Sequence, residues 1–201
     1  MVDLFLLVAD KNAQFALRGA LRRPKAFGVR KLDFECAVHS QRDGGVRKTG
    51  PDILRLTQRA ASHAILMLDY EGSGAMCSAT ALEDALDERL AADWGTRAKA
   101  IVVEPELDVW MWGSDNVLET LLQWNQAAGL RPWLLERGFE FAENGKPTRP
   151  KESLEAALRQ MQIPRSSALY ERIASTISLR RCHDHAFQRL RHELMRWFPP
   201  D

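Results

Sequence analysis

The chain has 201 residues, of which 45% are apolar and 27% are charged, a composition typical of globular proteins. This composition excludes disordered, collagen-like and coiled-coil chains, and the longest apolar runs fall far short of the roughly 18 residues that a membrane-spanning helix needs. Three scattered cysteines and no recognisable secretory signal lead us to expect a reduced, cytoplasmic protein that does not contact membranes.

The net charge of +1 conceals an uneven distribution along the chain. Residues 1–60 carry a net charge of +6, residues 61–120 of −9 and residues 121–201 of +4. An acidic middle between basic ends fits a metal site that serves a polyanion, because carboxylates hold the cation while Lys and Arg hold phosphates. A single acidic surface helix would produce the same totals.

The first half of the chain alternates between strand and helix patterns. In chain order we predict a strand at residues 2–8, a helix at 11–23, a strand at 32–38, a polar loop at 39–50, a helix at 51–62 that starts with Pro51, a strand at 64–68, a helix at 78–93 and a strand at 98–103. This alternation predicts an α/β fold, a mainly parallel sheet flanked by helices, over residues 1–112.

Residues 113–201 are predicted as a helical extension packed on this domain. Residues 137–150 are either a hairpin-like excursion or a linker, and helices are predicted at 151–162, 167–178 and 181–198. We expect the last two helices to pack as an antiparallel pair. Their predicted buried residues are Leu169, Ile173, Ile177, Phe187, Leu190 and Leu194.

Charged residues follow each predicted strand, where ligands of open α/β sheets bind. They are Asp10 and Lys11 after the first strand, His39, Arg42 and Asp43 after the second, Asp69 and Glu71 after the third, and Glu104 and Glu106 after the fourth. Carboxylates gathered at one edge repel each other unless a hard cation such as Mg²⁺ or Mn²⁺ holds them. We therefore predict metal ligands among Asp10, Asp69, Glu71, Glu104 and Glu106.

The pair Asp69 and Glu71 is the centre of this prediction. Two acids at positions i and i+2 point the same way if the strand continues, so both could face one metal ion. Gly72 and Gly74 follow, and glycine allows a backbone to approach a ligand closely. The alternative is an ordinary turn with capping residues.

Other polar residues have two interpretations each. His39, Arg42 and Asp43 combine an acid–base group, a phosphate-compatible cation and a carboxylate, or else form a turn at Asp43-Gly44. Lys11, Arg18 and Arg22 either bind phosphates or form the solvated face of a helix.

The C-terminal part contains a Cys182-His183-Asp184-His185 run. On a helix, Cys182 and His185 would share a face, which leaves two ligands where structural zinc needs four. We expect a helix cap with a free thiol.

The tryptophans of this half are expected to pack the junction with the sheet, with base stacking by Trp110 and Trp112 as the alternative.

Four segments resemble the TOPRIM-type domain of topoisomerases, primases and OLD-family nucleases, in particular short TOPRIM-like bacterial proteins associated with antiphage defence. They are Val8-Ala9-Asp10-Lys11-Asn12, Leu68-Asp69-Tyr70-Glu71-Gly72, Pro105-Glu106-Leu107-Asp108-Val109-Trp110, and a helical tail from Tyr170 to Leu190. The resemblance implies a Mg²⁺- or Mn²⁺-dependent nuclease in which Asp10, Lys11, His39, Asp69 and Glu71 take part in catalysis.

The chain departs from this family at the end of the first strand. The family places a glutamate and then a glycine there, whereas this chain has Ala9 and Asp10. Asp10 could supply the carboxylate from one residue further on, or the site could be silent. Asp69-x-Glu71 stands where the family has Asp-x-Asp, an exchange that metal coordination tolerates.

Two hypotheses follow. The first is a metal-dependent nuclease or phosphoryl-transfer protein in an antiviral defence system, with Lys11, Arg18, Arg22 and Arg42 binding nucleic acid. The second is a catalytically silent TOPRIM-like subunit that interacts with other defence proteins. The chain has no Gly-x-x-x-x-Gly-Lys-Ser/Thr loop, whereas OLD-type nucleases carry an ATPase, so an ATPase partner in trans fits either hypothesis.

Overall fold

The computed structural model describes residues 1–178 and 182–200. Four strands form one sheet, β1 (Val2–Val8), β2 (Phe34–Val38), β3 (Ala61–Asp69) and β4 (Ala98–Val103), in the order β2-β1-β3-β4. All three strand pairs are parallel. The predicted α/β class with a parallel sheet is confirmed.

The helices in the described ranges surround this sheet. They are α1 (Lys11–Leu21), α2 (Pro24–Phe27), α3 (Arg42–Arg55), α4 (Ala79–Trp94), α5 (Asp108–Met111), α6 (Asp115–Leu122), α7 (Leu130–Leu135), α8 (Pro150–Gln160), α9 (Ser167–Thr176) and α10 (His185–Trp197). None of the helices within these ranges is long and apolar enough to cross a membrane.

Both faces of the sheet are buried, because successive side chains of a strand point to opposite faces. On β3, Ile65 and Met67 enter a core that also contains α1, α9 and α10, whereas Leu66 and Leu68 enter a second core under α3 and α4. The first core joins residues from 1–112 and from 113–201 in one cluster, including Leu6 of β1 and Leu190 of α10. The tail is thus part of the main core.

The predicted loop at 39–50 and the helix at 51–62 are wrong, and so is the turn at Asp43-Gly44. One helix, α3, runs from Arg42 to Arg55 with Pro51 inside it, and β3 already begins at Ala61. Glycines lower helix propensity and suggested a loop, but Gly50 is needed for packing, since a Cβ there would lie 2.6 Å from Leu66 Cδ1.

A side chain compensates for the proline inside α3. Pro51 cannot donate to the carbonyl four residues earlier, that of Arg47. Arg89 of α4 donates to this carbonyl at 2.9 Å and to that of Lys48 at 2.9 Å. Arg89 therefore satisfies the acceptor that the proline leaves without a backbone donor.

The last two helices do not form the predicted antiparallel pair. Helix α9 packs along α1, and α10 packs against β4 and α2. The close approach of α1 and α9 depends on Gly19, where a Cβ would collide with the Glu171 carbonyl and lie 2.9 Å from Ser175 Oγ. All six residues predicted to be buried in these helices are buried, while the predicted helix start at residue 181 lies outside the described ranges.

The Cys182 region forms the start of α10. Cys182 precedes the helix, so it does not share a helix face with His185 as predicted. The expected cap is present, since Asp184 Oδ1 accepts from the Phe187 amide at 3.0 Å and from Trp110 Nε1 at 2.7 Å. Cys182 is buried, and burial raises the pKa of its thiol. Trp110 and Trp112 are buried as well, which favours the packing role over base stacking.

Candidate functional site

A cavity of about 680 Å³ lies at the carboxyl edge of the sheet. Segments after β1, β3 and β4 line it, together with the start of α3 and two positions of the helical tail. Its charged residues are six carboxylates, Asp10, Asp43, Asp69, Glu71, Glu106 and Asp108, and three cations, Arg42, Lys151 and Arg165. This is the edge at which open α/β sheets bind ligands.

Asp69 and Asp43 are neighbours in the wall of the cavity, and both side chains are half-buried. Asp43 Oδ1 accepts from the Asp69 amide at 2.7 Å, and Asp69 Oδ1 accepts from the Leu107 amide at 2.8 Å. Burial raises the pKa of Asp69 well above its usual range, and the negative charge of Asp43 adds to this shift. Burial also raises the pKa of Asp43. A cation bound between the two carboxylates would offset both the burial of their charges and their mutual repulsion.

Glu71 reaches the cavity from a turn, not from a continued strand. Strand β3 ends at Asp69, and Glu71–Ser73 form one turn of 3₁₀ helix. The amide of Glu71 donates to the Pro105 carbonyl at 3.1 Å, which fixes this turn on the segment after β4. The continued strand assumed for the Asp-x-Glu pair is wrong, yet both acids line the same cavity.

Glu106 and Asp108 are neutralised by cations from the helical tail. Lys151 at the start of α8 lies 3.3 Å from Glu106 Oε2. Asp108 Oδ1 accepts from Tyr170 Oη at 2.5 Å, and Asp108 Oδ1 and Oδ2 accept from Arg165 Nη2 at 3.3 and 3.2 Å. Burial raises the pKa of both carboxyls in spite of these partners.

Sequence reasoning missed this tail contribution. Lys151 and Arg165 carry no local motif, and they reach the cavity only through packing across 45 and 57 residues of chain. One signal was present, because Glu106-x-Asp108 repeats the acid-x-acid spacing of Asp69-x-Glu71 after the neighbouring strand.

Asp10 lines the cavity, but one of its oxygens caps a helix. Asp10 Oδ1 accepts from the Ala13 amide at 2.8 Å, the usual N-cap contact. Ala9 beside it is buried in the core under α3 and α4. The carboxylate expected from this strand end is therefore present, with one oxygen already engaged.

His39 does not line the acidic cavity. It is buried, its Nδ1 accepts from the Gln41 amide at 3.0 Å, and its Nε2 lies 3.0 Å from Thr49 Oγ1. Because Nδ1 accepts, the ring carries its proton on Nε2 and donates to Thr49. These two contacts position the start of α3, and His39 also lines the adjoining groove with Lys11 and Arg42, so its predicted role in catalysis stays a prediction.

Glu104 lies outside the cavity as well. It is exposed and lines a separate cleft with Glu83 and His185. Glu104 is therefore not brought together with the acids of the cavity, and its predicted role as a metal ligand stays a prediction.

The predicted phosphate-binding residues divide into two groups. Arg42 lines the cavity, and it also lines an adjoining groove of about 410 Å³ together with Lys11. Arg18 and Arg22 instead lie 3.3 and 2.8 Å from Glu171 of α9. Their role in the fold is to hold α9 on α1.

The donor set suits a hard cation, although it is not a complete cage. In the described ranges, Asp10, Asp43, Asp69 and Glu71 form no ion pair. No trio of His, Cys, Asp and Glu side chains in those ranges is arranged to hold a metal ion on its own. Mg²⁺ commonly takes one or two carboxylates, with water and substrate phosphate as its other ligands, and that requirement fits these residues.

Comparisons with protein-family models, with curated proteins and with solved structures find nothing that matches this chain.

Proposed function

We propose that this chain is a divalent-metal-dependent phosphoryl-transfer protein, and specifically a TOPRIM-like nuclease. One observation carries the proposal: the half-buried Asp69 and its neighbour Asp43 form no ion pair in the described ranges, and both line the cavity at the sheet edge where α/β proteins bind ligands. Carboxylates that lose water contacts without gaining a counter-ion lower the stability of the fold, unless a bound ligand compensates for their charge.

Asp69 and Glu71 would hold Mg²⁺ or Mn²⁺, with Asp10 at the rim. When bound, the cation supplies positive charge to a phosphate and lowers the pKa of a water molecule that can attack it. Glu106 is paired with Lys151 and is therefore less suited to be a ligand than the sequence suggested.

The cations around the cavity bind the substrate in this proposal. Lys151 donates one hydrogen bond to Glu106, which leaves two ammonium protons for phosphate oxygens. The side chain of Arg42 makes no hydrogen bond or ion pair in the described ranges, and Arg42 lines both the cavity and the groove of Lys11. A nucleic-acid backbone could extend from one to the other.

On the basis of the TOPRIM-like resemblance we further propose a role in an antiviral defence system, with nucleic acid as substrate and other defence proteins, including an ATPase in trans, as partners.

A second candidate function is a silent interaction subunit within the same kind of complex. The observation that favours it is the end of β1, where buried Ala9 replaces the expected glutamate and Asp10 is engaged in a helix cap. In this case the basic face would bind an acidic protein surface.

A cleavage assay tests the proposal. The full chain is incubated with single- and double-stranded DNA and RNA in the presence of Mg²⁺ or Mn²⁺, beside the variants Asp69→Asn and Glu71→Gln. We expect metal-dependent cleavage that both variants abolish. Glu104→Gln, two residues from Glu106 but outside the cavity, is the matched control and should cleave normally. Wild-type rates in Asp69→Asn and Glu71→Gln would contradict the proposal.

A further inference from the structure

We infer that His63 is a pH-sensitive switch, which holds the C-terminal end of α10 on the sheet while its imidazole is neutral and releases this end when the imidazole is protonated. The switch is independent of the acidic cavity, because His63 lies near the start of β3 and the cavity lies at the opposite end of this strand. Four observations on the surroundings of His63 lead to it.

The first observation is the contact of His63 with two aromatic rings. Its imidazole stacks on Trp197, the last residue of α10, with ring centroids 4.8 Å apart and an angle of 30° between the planes. It also meets the ring of Phe198 in a T-shaped arrangement at 5.0 Å. Phe198 is buried in the first core, so these ring contacts join the end of α10 to the sheet.

The second observation is a buried nitrogen of the imidazole. Nδ1 of His63 is buried and has no hydrogen-bond partner in the described ranges. A neutral imidazole can leave this nitrogen without a proton, whereas a protonated imidazole carries a proton on each nitrogen. Protonation would therefore bury a charged donor without an acceptor, which destabilises a fold more than a buried neutral nitrogen does.

The third observation is that both rings beside His63 already contact an arginine. Arg196 Cζ lies 5.7 Å from the centre of the Trp197 ring, and Arg30 Cζ lies 5.2 Å from that of Phe198. A protonated imidazole is attracted to an aromatic ring as any cation is. Here that attraction is offset, because each ring already has a positive charge beside it.

The fourth observation is the charge around the imidazole. The cations that act on His63 are Arg30, Arg97 and Arg196, and the acid is Asp3. Asp3 is paired with Arg30 at 2.7 Å, and Glu193 is paired with Arg196 at 2.6 Å. These acids already neutralise arginines, so a protonated His63 would add a third positive charge to those of Arg97 and its neighbours.

These surroundings fix the direction of the pH dependence. Burial lowers the pKa of His63, the positive charges of Arg97 and Arg196 lower it further, and Asp3 acts in the opposite direction. The stabilisation that neutral His63 provides is therefore complete above the ordinary pKa of histidine, about 6.5. It is lost as pH falls through the lower pKa of the folded state.

Two measurements on the full chain test the switch. NMR titration of the His63 ring signals reports the pKa of its imidazole, which we expect below about 6.5. Hydrogen–deuterium exchange reports the release of residues 195–198. After correction for intrinsic rates, we expect their amides to exchange about fivefold faster at pH 5.5 than at pH 7.5, as local opening does.

Two variants assign this acceleration to His63. His63→Phe keeps an aromatic ring against Trp197 but cannot be protonated, so its exchange at residues 195–198 should not accelerate at pH 5.5. His192→Gln is the matched control, because it removes an exposed histidine from the same helix. It should accelerate like the wild type.

The outcomes that would overturn the switch are distinct. A His63 pKa at or above 6.5, or equal exchange of residues 195–198 at both pH values, would overturn it from the wild type alone, even if His63→Phe does not fold. The same acceleration in a folded His63→Phe variant would overturn it as well. None of these results depends on metal binding or cleavage, so the proposed function is tested separately.

Discussion

At the scale of single residues, Asp69 and Glu71 were predictable because a strand end is a local feature of the sequence. An apolar run followed by acids and glycines was enough to place both at the edge of the sheet. The ion pairs of Glu106 with Lys151 and of Asp108 with Arg165 were not predictable, since they depend on how the tail packs. The contacts of His39 were not predictable either, because the sequence could not reveal that Gln41 and Thr49 engage both ring nitrogens.

The raised pKa of Asp69 predicts how its removal changes stability with pH. A carboxyl whose pKa is raised in the folded state stabilises the fold below its ordinary pKa, and this contribution is lost as pH rises through the folded pKa. Asp69→Asn should therefore raise the melting temperature at pH 8, by about 2–4 °C for each kcal/mol of relieved repulsion. The difference should shrink towards pH 4.

Thermal melts between pH 4 and pH 8 check this prediction. Asp52→Asn, on an exposed residue, is the control and should show no comparable dependence on pH. A lower melting temperature of Asp69→Asn at pH 8 in metal-free buffer would contradict the description of Asp69 as a strained carboxylate.

The two tyrosines of the chain provide a matched comparison of hydrogen bonds. Tyr170 is fully buried, donates to Asp108 at 2.5 Å and accepts from Arg165 at 2.7 Å. Tyr70 is partly exposed and donates to the Cys77 carbonyl. We expect Tyr170→Phe to lower the free energy of unfolding by about 1–3 kcal/mol, because it leaves a buried charged group with fewer partners. Tyr70→Phe should cost clearly less. Urea unfolding measures both, and equal losses would contradict the proposed role of Tyr170.

At the scale of elements, strands and helices with a regular apolar pattern could be predicted from the sequence. Elements that form in spite of residues with low propensity could not. Strands β1 and β4 have the predicted bounds because each is an apolar run interrupted by a single charged residue, Asp3 and Lys99 respectively. Helix α3 was missed because its glycines and Pro51 lower helix propensity, and it forms because Gly50 fits against β3 and Arg89 satisfies the carbonyl opposite Pro51. The pairing of α9 with α1 depends on a side-chain-free position, Gly19, whose packing partner is distant in sequence.

Gly19 and Gly44 should therefore respond in opposite directions to alanine. Both lie in helices, where alanine is intrinsically favoured by about 0.5–1 kcal/mol. At Gly19 the added Cβ collides with the Glu171 carbonyl, so we expect Gly19→Ala to destabilise the protein by about 1–3 kcal/mol. Gly44→Ala should be neutral or stabilising. Chemical denaturation decides, and a stabilised Gly19→Ala would contradict the close packing of α1 on α9.

At the scale of the whole molecule, the acidic middle of the chain serves two purposes. One group of its acids lines the cavity. Another group on α4 covers the outer edge of the sheet, where Glu83 accepts from the Val102 amide and Asp87 from the Ala100 amide, and Arg189 of α10 lies within 3.2 Å of both acids. The two interpretations of the negative charge, an acidic site and an acidic helix, thus each describe part of the structure. Charge totals alone could not separate them.

The basic first third is divided in the same way, and this changes the expected salt dependence of nucleic-acid binding. Reversing Arg18 and Arg22 would break their contacts with Glu171. The informative variant is Lys11→Glu combined with Arg42→Glu, at the groove beside the cavity. If each residue contacts one phosphate, the slope of log affinity against log salt should fall by about 0.7–0.9 per residue.

An electrophoretic shift series in increasing salt measures this slope. Arg55→Glu combined with Arg59→Glu introduces the same charge change just before β3, at the opposite end of the strand from the cavity, and should leave the slope unchanged. Equal effects of the two double variants would indicate nonspecific charge attraction. Absence of binding at low salt would favour the interaction-subunit hypothesis.

The central claim is that the acidic cavity binds a divalent cation at Asp69, and anomalous diffraction from crystals soaked in Mn²⁺ tests it most directly. We predict a manganese peak within about 2.0–2.6 Å of carboxylate oxygens, with Asp69 among its ligands and Asp43 or Glu71 beside it. A peak in the separate cleft of Glu104 and His185, or no peak in the cavity at saturating Mn²⁺, would contradict the claim.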